Sequence, residues 1–395
     1  MTGQNPVFIP GPTNMPERVR RALYAGTQDH RAPDFGDFVH PLFSDLKKVF
    51  KTDTGQVLVF PASGTGGWEA SLSNTLSPGD TVLSARLGQF SARWIDMCER
   101  LGFNLEVIDT EWGQGTPTNQ FAEALAADTG HKIKGVLVTH NETSTGVCSD
   151  VAAVREALDS TGHPALLYVD GISSIAAIDF RMDEWGVDLA ICGSQKGFML
   201  PTGLAIVGVS QKALEARKSA RCPRCFFDFG DMIDSNAAGS FHYTPPTQML
   251  HGLREAVDML LEEGMENVFQ RHQFTAEGVR RAAAAWNLSL CAQNPAEYSN
   301  TVTAICVPAG VDSGQLVKHA YERYGVSYGG GLGDVAGKVF RIGHLGSTSE
   351  TLTLAGIATA EMAMHDLNYP IELGSGVAAA QSWYCAGRET QANAA

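Results

Sequence analysis

The feature that most constrains the fold is a repeated alternation of short apolar runs with helical patterns. The runs at residues 57–60 and 136–140 are rich in Val, Leu and other apolar residues, and each leads into Gly, Ser, Thr or Asn before a helical pattern begins. Such alternation is typical of a parallel sheet covered by helices. The sequence therefore predicts an α/β fold with a largely parallel sheet, and ligand crevices of such sheets lie at the carboxyl ends of the strands.

The chain divides into four predicted regions. Its 395 residues suffice for a large domain and a smaller one. Three prolines between positions 10 and 16 exclude regular structure there, so residues 1–20 are predicted to form an N-terminal arm. Strand–helix alternation predicts a large domain over residues 21–270 and a small α+β domain over residues 271–370. The Gly- and Ala-rich segment 371–395 is expected to be a loosely held tail.

Composition excludes several classes of protein. The net charge of −14 argues against a protein that binds nucleic acid or acidic membranes non-specifically. No apolar run reaches the roughly 18 residues of a membrane span, and the start lacks a secretory pattern, so we expect a cytoplasmic protein. Of the eight cysteines, Cys222 and Cys225 form the one close pair, without a second pair at zinc spacing. We expect free thiols and no metal site.

A lysine and an aspartate follow two predicted strands. Lys196 lies in the turn Gly193-Ser194-Gln195-Lys196-Gly197, and Asp170 ends the apolar run that starts at Ala165. A pyridoxal phosphate (PLP) enzyme needs this pair, since the lysine amine forms a Schiff base and the carboxylate keeps the pyridine nitrogen protonated. A solvated surface lysine is the alternative for Lys196 considered alone.

A glycine-rich turn joins another strand to a helix. Ser63, Gly64 and Thr65 follow the run at 57–60 and precede a helix expected from about Trp68. Backbone N–H groups at such a helix start bind phosphate, and the hydroxyls add further donors. The turn is neither a Walker loop nor a dinucleotide fingerprint. A plain tight turn remains the alternative.

Further candidates are polar or aromatic residues near strand ends. Phe90 is either a core residue or a ring that stacks on a cofactor, and the polar run 141–146 suits the rim of a site. Arg341 lies in an apolar strand, where it forms a structural ion pair or clamps a carboxylate. His30 and Arg31 form a solvated loop or face an anionic substrate. The irregular, aromatic segment 221–250 suggests a subunit interface.

Taken together and in order, several segments resemble one family across nearly the whole chain. They are residues 10–14, 29–31, 63–66, 140–146, 182–188, 193–197, 340–346 and 374–380. The chain is similar to the glyoxylate-dependent aminotransferases of the class V, fold type I PLP enzymes. The resemblance implies the aspartate-aminotransferase-like fold, with a large PLP-binding domain and a small C-terminal domain, and a homodimer with its active site at the subunit interface.

The resemblance also implies roles for individual residues. Lys196 is expected to carry PLP and Asp170 to partner the pyridinium. The other expected cofactor-binding residues are Ser63, Gly64, Thr65, Phe90, Thr143, Gln195 and, from the neighbouring subunit, Tyr243 and Thr244. Phe241 occupies the position at which some relatives carry that tyrosine. The expected substrate-binding residues are Arg341, as the clamp for the α-carboxylate, with His30, Arg31 and Asn14.

The predicted function is transfer of an amino group from serine or aspartate to glyoxylate, which gives glycine and a keto acid. Alternatives within the family are an alanine–glyoxylate aminotransferase and a cysteine desulfurase-like lyase, although desulfurases typically carry His where this chain has Gln195. A nucleotide-binding dehydrogenase and a non-catalytic PLP-binding module are the alternatives from other classes.

Overall fold

The structure, a computed structural model, describes residues 6–392. Its strands are β1 (Val7–Phe8), β2 (Gln56–Ala62), β3 (Thr81–Arg86), β4 (Asn104–Asp109), β5 (Ile133–Thr139), β6 (Asn141–Glu142), β7 (Val147–Cys148), β8 (Leu166–Asp170), β9 (Leu189–Gly193), β10 (Gly203–Val209), β11 (Val302–Cys306), β12 (Ser327–Gly330) and β13 (Val339–Gly343). Its α-helices are α1 (Glu17–Ala22), α2 (Phe35–Phe50), α3 (Gly64–Thr75), α4 (Gln89–Arg100), α5 (Thr118–Ala127), α6 (Val151–Thr161), α7 (Gln211–Arg217), α8 (Phe229–Ala237), α9 (Thr247–Glu263), α10 (Met265–Ala285), α11 (Ser313–Tyr324), α12 (Glu350–Asp366) and α13 (Ser375–Ala392).

The large sheet has seven strands in the order β2-β10-β9-β8-β5-β3-β4. Its strands run parallel apart from β10, which is antiparallel to both β2 and β9. Every residue of β8 and of β9 is buried, as expected when helices cover both faces of a parallel sheet. The predicted α/β fold with a largely parallel sheet is confirmed.

Strand register brings the polar strand ends together at one edge of this sheet. Thr139, the last residue of β5, pairs with Asp170 at the end of β8. Asp170 in turn pairs with Ile191 of β9, and Lys196 lies in the turn after β9. The glycine turn before α3 also leaves the sheet near this edge, because β2 runs in the same direction as β9.

A second hydrophobic core lies under a separate four-stranded sheet in the order β1-β12-β13-β11. Helices α10, α11, α12 and α13 pack around this sheet. The arm contributes its edge strand, because Val7 and Phe8 pair in parallel with Ser327 and Tyr328. The predicted extended arm therefore begins in the small sheet.

Two segments differ from the expectations. The loosely held tail expected over residues 371–395 is wrong for residues 375–387, because α13 packs on α10 and buries Ala380 and Tyr384. The last three residues of that tail, 393–395, lie outside the described range. The segment 221–250 is not irregular throughout, since α8 begins at Phe229 with the Asp228 carboxylate accepting from the Asp231 N–H at 3.0 Å.

Several helix bounds also shift. Helix α3 starts at Gly64 instead of Trp68, so the glycine turn itself forms the first helical turn. Helices α9 and α10 are separated at Gly264, which has a φ of 83°. Among residues 6–392, no helix combines the length and apolar character that crossing a membrane requires.

Candidate active site

A cavity of about 690 Å³ opens at the carboxyl ends of the large-sheet strands. Its lining residues come from the arm, the glycine turn, α3, α4, the β6 region and the turns after β8 and β9. They are Gly11, Ser63, Gly64, Thr65, Trp68, Glu69, Phe90, Arg93, Asp96, Met97, Arg100, Leu101, Asn141, Thr143, Asp170, Ile172, Ser173, Gln195 and Lys196. The structure thus brings together most of the cofactor residues predicted from the sequence.

Lys196 presents its amine to this cavity beneath the N-terminal arm. Its Nζ donates a hydrogen bond to the carbonyl oxygen of Pro10. Burial and the nearby positive charge of Arg341 lower the pKa of Lys196 to about 8. Gly11 has a φ of 104°, and a Cβ there would lie 2.8 Å from Nζ. Only glycine allows the arm to approach the amine this closely.

Asp170 is a buried carboxylate. Its Oδ1 accepts from the Ile172 N–H at 3.0 Å, and the Trp68 indole lies close enough to lower the pKa of the carboxyl group. Burial raises the pKa of Asp170 to about 7, and nearby Glu142 adds to this, whereas the Ile172 N–H and the charge of Lys196 oppose it. A cation placed against this buried carboxylate would favour its charged form.

The glycine turn is shaped for an anion. Ser63 is the N-cap of α3, and its hydroxyl does not cap the helix. The first N–H groups of α3, at Gly64 and Thr65, have no acceptor within the helix. A Cβ at Gly64 would lie 2.4 Å from Ile172 Cδ1, so glycine is required for this packing. The buried Oε1 of Gln195 also lacks a partner among the described residues.

Phe90 lies at the start of α4, half-buried and facing the cavity. Its backbone N–H donates to Glu142 Oε2 at 2.9 Å, and the Arg93 guanidinium lies 5.6 Å from its ring centroid. Because the ring is only half-buried, one face remains available to a flat ligand. This placement favours a stacking role for Phe90 over a core role.

Arg341 crosses from the small domain to the rim of the site. Its Nε donates to the Gly330 carbonyl at 2.9 Å and its Nη1 donates to the Thr143 carbonyl at 3.0 Å. Its Nη2 donates to no described residue. Burial lowers the pKa of Arg341 to about 10, and the charge of Glu142 opposes that shift. The guanidinium is thus fixed by carbonyl groups with one nitrogen left for an anionic ligand.

Besides Arg341, which lies at the rim, five residues predicted for the site do not line the cavity. Within residues 6–392, His30, Arg31, Tyr243 and Thr244 do not line the cavity. The Tyr243 hydroxyl lies 3.1 Å from Cys225 Sγ, and its ring stacks on Phe226. The Asn14 side chain is committed to the arm, since it accepts from the Val7 N–H and donates to the Val7 carbonyl. These two bonds hold the Asn14 side chain against β1.

Other functional candidates were missed by sequence reasoning. Trp68 lines the cavity with a buried indole N–H that has no partner in the described part of the chain, and its ring stacks on Trp94 at 5.3 Å. Pro10 and Gly11 contact Lys196 across 186 and 185 positions of sequence, respectively. Glu142 is a buried acid within the polar run 141–146. The acid itself, directly after an apolar strand, was the one signal in the sequence for a role at this position.

Comparison with known proteins identifies the family. The family model of class V aminotransferases matches residues 24–335. The chain is 59% identical over 394 residues to the L-aspartate–glyoxylate aminotransferase of Paracoccus denitrificans, covering 100% of this chain and 99% of that protein. The chain belongs to the class V aminotransferases.

Other relatives of this class V aminotransferase agree. It is 56% identical to the serine–glyoxylate aminotransferase of Hyphomicrobium methylovorum, covering 97% of this chain and 95% of that protein. The crystal structure of the ureidoglycine–glyoxylate aminotransferase from Bacillus subtilis superimposes with a TM-score of 0.90 at 27% identity, covering 97% and 99% of the two chains. The fold is therefore PLP fold type I.

Class V aminotransferases are PLP-dependent transaminases, and the site fits that cofactor. The structure offers an amine, a buried carboxylate, a half-exposed aromatic ring and a helix start with free N–H groups around one cavity. The unpartnered Gln195 Oε1 and Trp68 N–H are buried polar atoms that a bound polar group can satisfy.

Proposed function

We propose that this aminotransferase transfers the amino group of serine or aspartate to glyoxylate, which yields glycine and the keto acid of the donor. The identity of 59% and 56% to an aspartate–glyoxylate and a serine–glyoxylate aminotransferase, each over nearly the whole chain, carries this proposal. Glyoxylate is named as the substrate of both relatives, whereas their amino donors differ.

The proposed cofactor cradle uses the residues that line the cavity. Asp170 would hold the ring nitrogen, Phe90 one ring face, and the turn Ser63–Thr65 with Gln195 the phosphate. Bound PLP supplies an electron sink for the carbanion formed at the substrate Cα. The burial of Asp170, which raises its pKa to about 7, supports this assignment, because a protonated ring would supply the cation that favours its charged form.

Lys196 is the proposed base. With a pKa of about 8, a substantial fraction of its amines is neutral near neutral pH and can accept a proton. In the proposed reaction, Nζ would take the proton from the Cα of the donor, hold it, and give it back before the product leaves. The Pro10 carbonyl accepts a hydrogen bond from Nζ and so keeps the amine in position.

Arg341 is the proposed clamp for the α-carboxylate of both substrates. Its planar guanidinium suits a carboxylate, and two carbonyl groups already fix its orientation. Glyoxylate has no side chain, so it requires little beyond this clamp. The choice of donor then depends on residues farther out, among which His30 and Arg31 remain the predicted partners for a second carboxylate.

We further propose a homodimer in which each subunit completes the other's site. The loop with His30 and the segment with Tyr243 lie side by side, because the Cα atoms of Gly36 and Gly239 are in close contact and His251 lies 3.0 Å from the Gln28 oxygen. We propose that His30, Arg31, Tyr243 and Thr244, which do not line the cavity of their own chain, reach the site of the partner subunit. The cytoplasmic location stays a prediction.

A half-reaction scan tests the proposed function. Purified holoenzyme is mixed with serine, aspartate, alanine or cysteine alone, and the visible band of bound PLP is followed; glyoxylate, pyruvate or 2-oxoglutarate is then added. We expect serine or aspartate to bleach the band and glyoxylate to restore it with formation of glycine. Release of sulfide from cysteine without bleaching by serine or aspartate would favour the lyase alternative and refute the proposal.

A further inference from the structure

We propose that Glu142 is a positioning residue that fixes the rim of the active site by binding the start of α4 and the β6–β7 loop at the same time. It touches neither end of the Lys196–Asp170 pair through a hydrogen bond. Its effect on the reaction would pass through Phe90 and Thr143. This inference rests on the proposed function for its substrates only.

The carboxylate of Glu142 receives four hydrogen bonds. Oε2 accepts from the backbone N–H groups of Phe90 at 2.9 Å and Ser91 at 3.1 Å. Oε1 accepts from the Ser144 N–H at 3.0 Å and from the Ser144 hydroxyl at 2.7 Å. That hydroxyl in turn accepts from the Gln89 N–H at 3.0 Å. Three successive N–H groups at the start of α4 are thus satisfied by one acid and its neighbour.

This arrangement places a negative group where the helix favours one. The unpaired N–H groups at a helix start carry a partial positive charge, which an anion stabilises. Glu142 is fully buried, and burial raises its pKa, whereas the donors from Ser144, Ser91 and Phe90 lower it. The side chain fits only because residue 88 is glycine, since a Cβ there would lie 2.3 Å from Glu142 Cγ. The contact between the loop and α4 is therefore specific and rigid.

Two groups of the proposed site depend on this contact. Phe90 is the first α4 residue whose N–H binds Glu142 directly, so the bond fixes the backbone from which its ring extends. Thr143 follows Glu142 in the chain, lines the cavity and accepts the Arg341 Nη1 hydrogen bond at 3.0 Å. A loose Glu142 would therefore release both the stacking ring and the support of the carboxylate clamp.

The test compares Glu142→Gln with Glu361→Gln in the full-length enzyme. Glu361 is a second buried acid that binds a helix start, in the small domain and away from the cavity. For Glu142→Gln we expect the PLP dissociation constant and the KM of the amino donor to rise about tenfold, with a smaller change in kcat. The visible circular dichroism of bound PLP should weaken, because the Phe90 ring is no longer fixed. Glu361→Gln should lower the unfolding temperature of the apoenzyme and change neither constant more than about twofold.

The inference would be overturned if Glu142→Gln behaved like Glu361→Gln. In that case Glu142→Gln would lower the unfolding temperature but leave the PLP dissociation constant, the KM and the dichroism unchanged. If Glu142→Gln does not fold, Ser144→Ala decides, since it removes the hydroxyl that links Gln89 to Glu142. It should change the same three quantities in the same direction by a smaller factor, and unchanged values would equally refute the role. Failure of the wild type to transaminate would refute the proposed function and leave the PLP-binding comparison intact.

Discussion

Two buried glutamates in this protein bind the start of a helix in nearly the same way. Glu142 binds α4 beside the active-site cavity, and Glu361 binds α13 in the small domain. Glu361 accepts from the N–H groups of Gly376 at 2.6 Å, Val377 at 3.3 Å and Gly374 at 3.0 Å, and from the Trp286 indole at 2.9 Å. Both are at most 2% exposed.

The difference lies in what surrounds each acid. Around Glu361, a helix and an indole close the cluster within one core, so its hydrogen bonds contribute to stability. Around Glu142, the same local chemistry adjoins groups with shifted pKa values: Asp170 at about 7, Lys196 at about 8 and Arg341 at about 10. We therefore expect the contact between a buried glutamate and a helix start to affect activity only where incompletely paired groups lie next to it.

The largest effect on the active-site side of the comparison is expected from Lys196→Ala. It should abolish the visible band of bound PLP and reduce turnover by about 10⁴-fold, because both the covalent attachment and the base are lost. Absorbance spectra and single-turnover assays measure both. Lys132→Ala, which changes an exposed lysine of the same domain, is the control and should behave as wild type. Normal turnover of Lys196→Ala would refute the assignment.

Asp170→Asn should have the next largest effect. The substitution keeps the shape and removes the charge opposite the ring nitrogen, so turnover should fall roughly 100-fold and PLP should bind more weakly. Equilibrium titration with PLP and half-reaction rates measure these changes. A variant with full rate would mean that another group keeps the ring protonated.

The pH dependence of apoenzyme stability provides a third prediction. The pKa of Lys196 is lowered from 10.5 to about 8, so between these values the unfolded chain binds more protons than the folded one. The unfolding free energy of wild type, relative to Lys196→Ala, should therefore rise with pH over this range by up to about 3 kcal/mol. Denaturant unfolding at several pH values measures the difference, and a flat difference would mean that the amine has a normal pKa.

The smallest effect is expected on the side of Glu361. Glu361→Gln should lower the unfolding free energy by about 1–3 kcal/mol, because N–H groups at the start of α13 lose a charged acceptor. Turnover should stay within about twofold of wild type, since no cavity residue contacts this acid. A large loss of turnover in Glu361→Gln would mean that the two glutamates do not differ in their effect on activity.

Much of the fold followed from local sequence patterns. The strand β8 was predicted to within one residue, because an apolar run marks its length and a polar residue marks its end, and the strand that contains Arg341 was predicted as well. The reversal of β10 could not be predicted, since its apolar pattern does not encode direction. Helix α13 was missed because Gly and Ala suggested a loose tail, although Val377, Ala380 and Tyr384 lie at helical spacing.

In the active site, too, the residues marked by a local sequence pattern were predicted, and the contacts between distant segments were not. Lys196, Asp170 and the glycine turn were predicted because strand ends and glycines are visible in sequence, and the structure brings them to one cavity. The contact of Pro10 with Lys196 and the bond of Glu142 to α4 join distant segments of the chain. No local sequence pattern could predict them. The roles of His30 and Tyr243 depend on a second subunit and stay predictions.

The position of the arm has a consequence for biosynthesis. Strand β1 pairs with β12, whose residues leave the ribosome about 320 positions later, roughly tens of seconds at usual translation speeds. Until then the segment that crosses Lys196 has no edge on which to dock. The pairing that anchors the arm over Lys196 therefore forms only after the chain has been synthesised past β12.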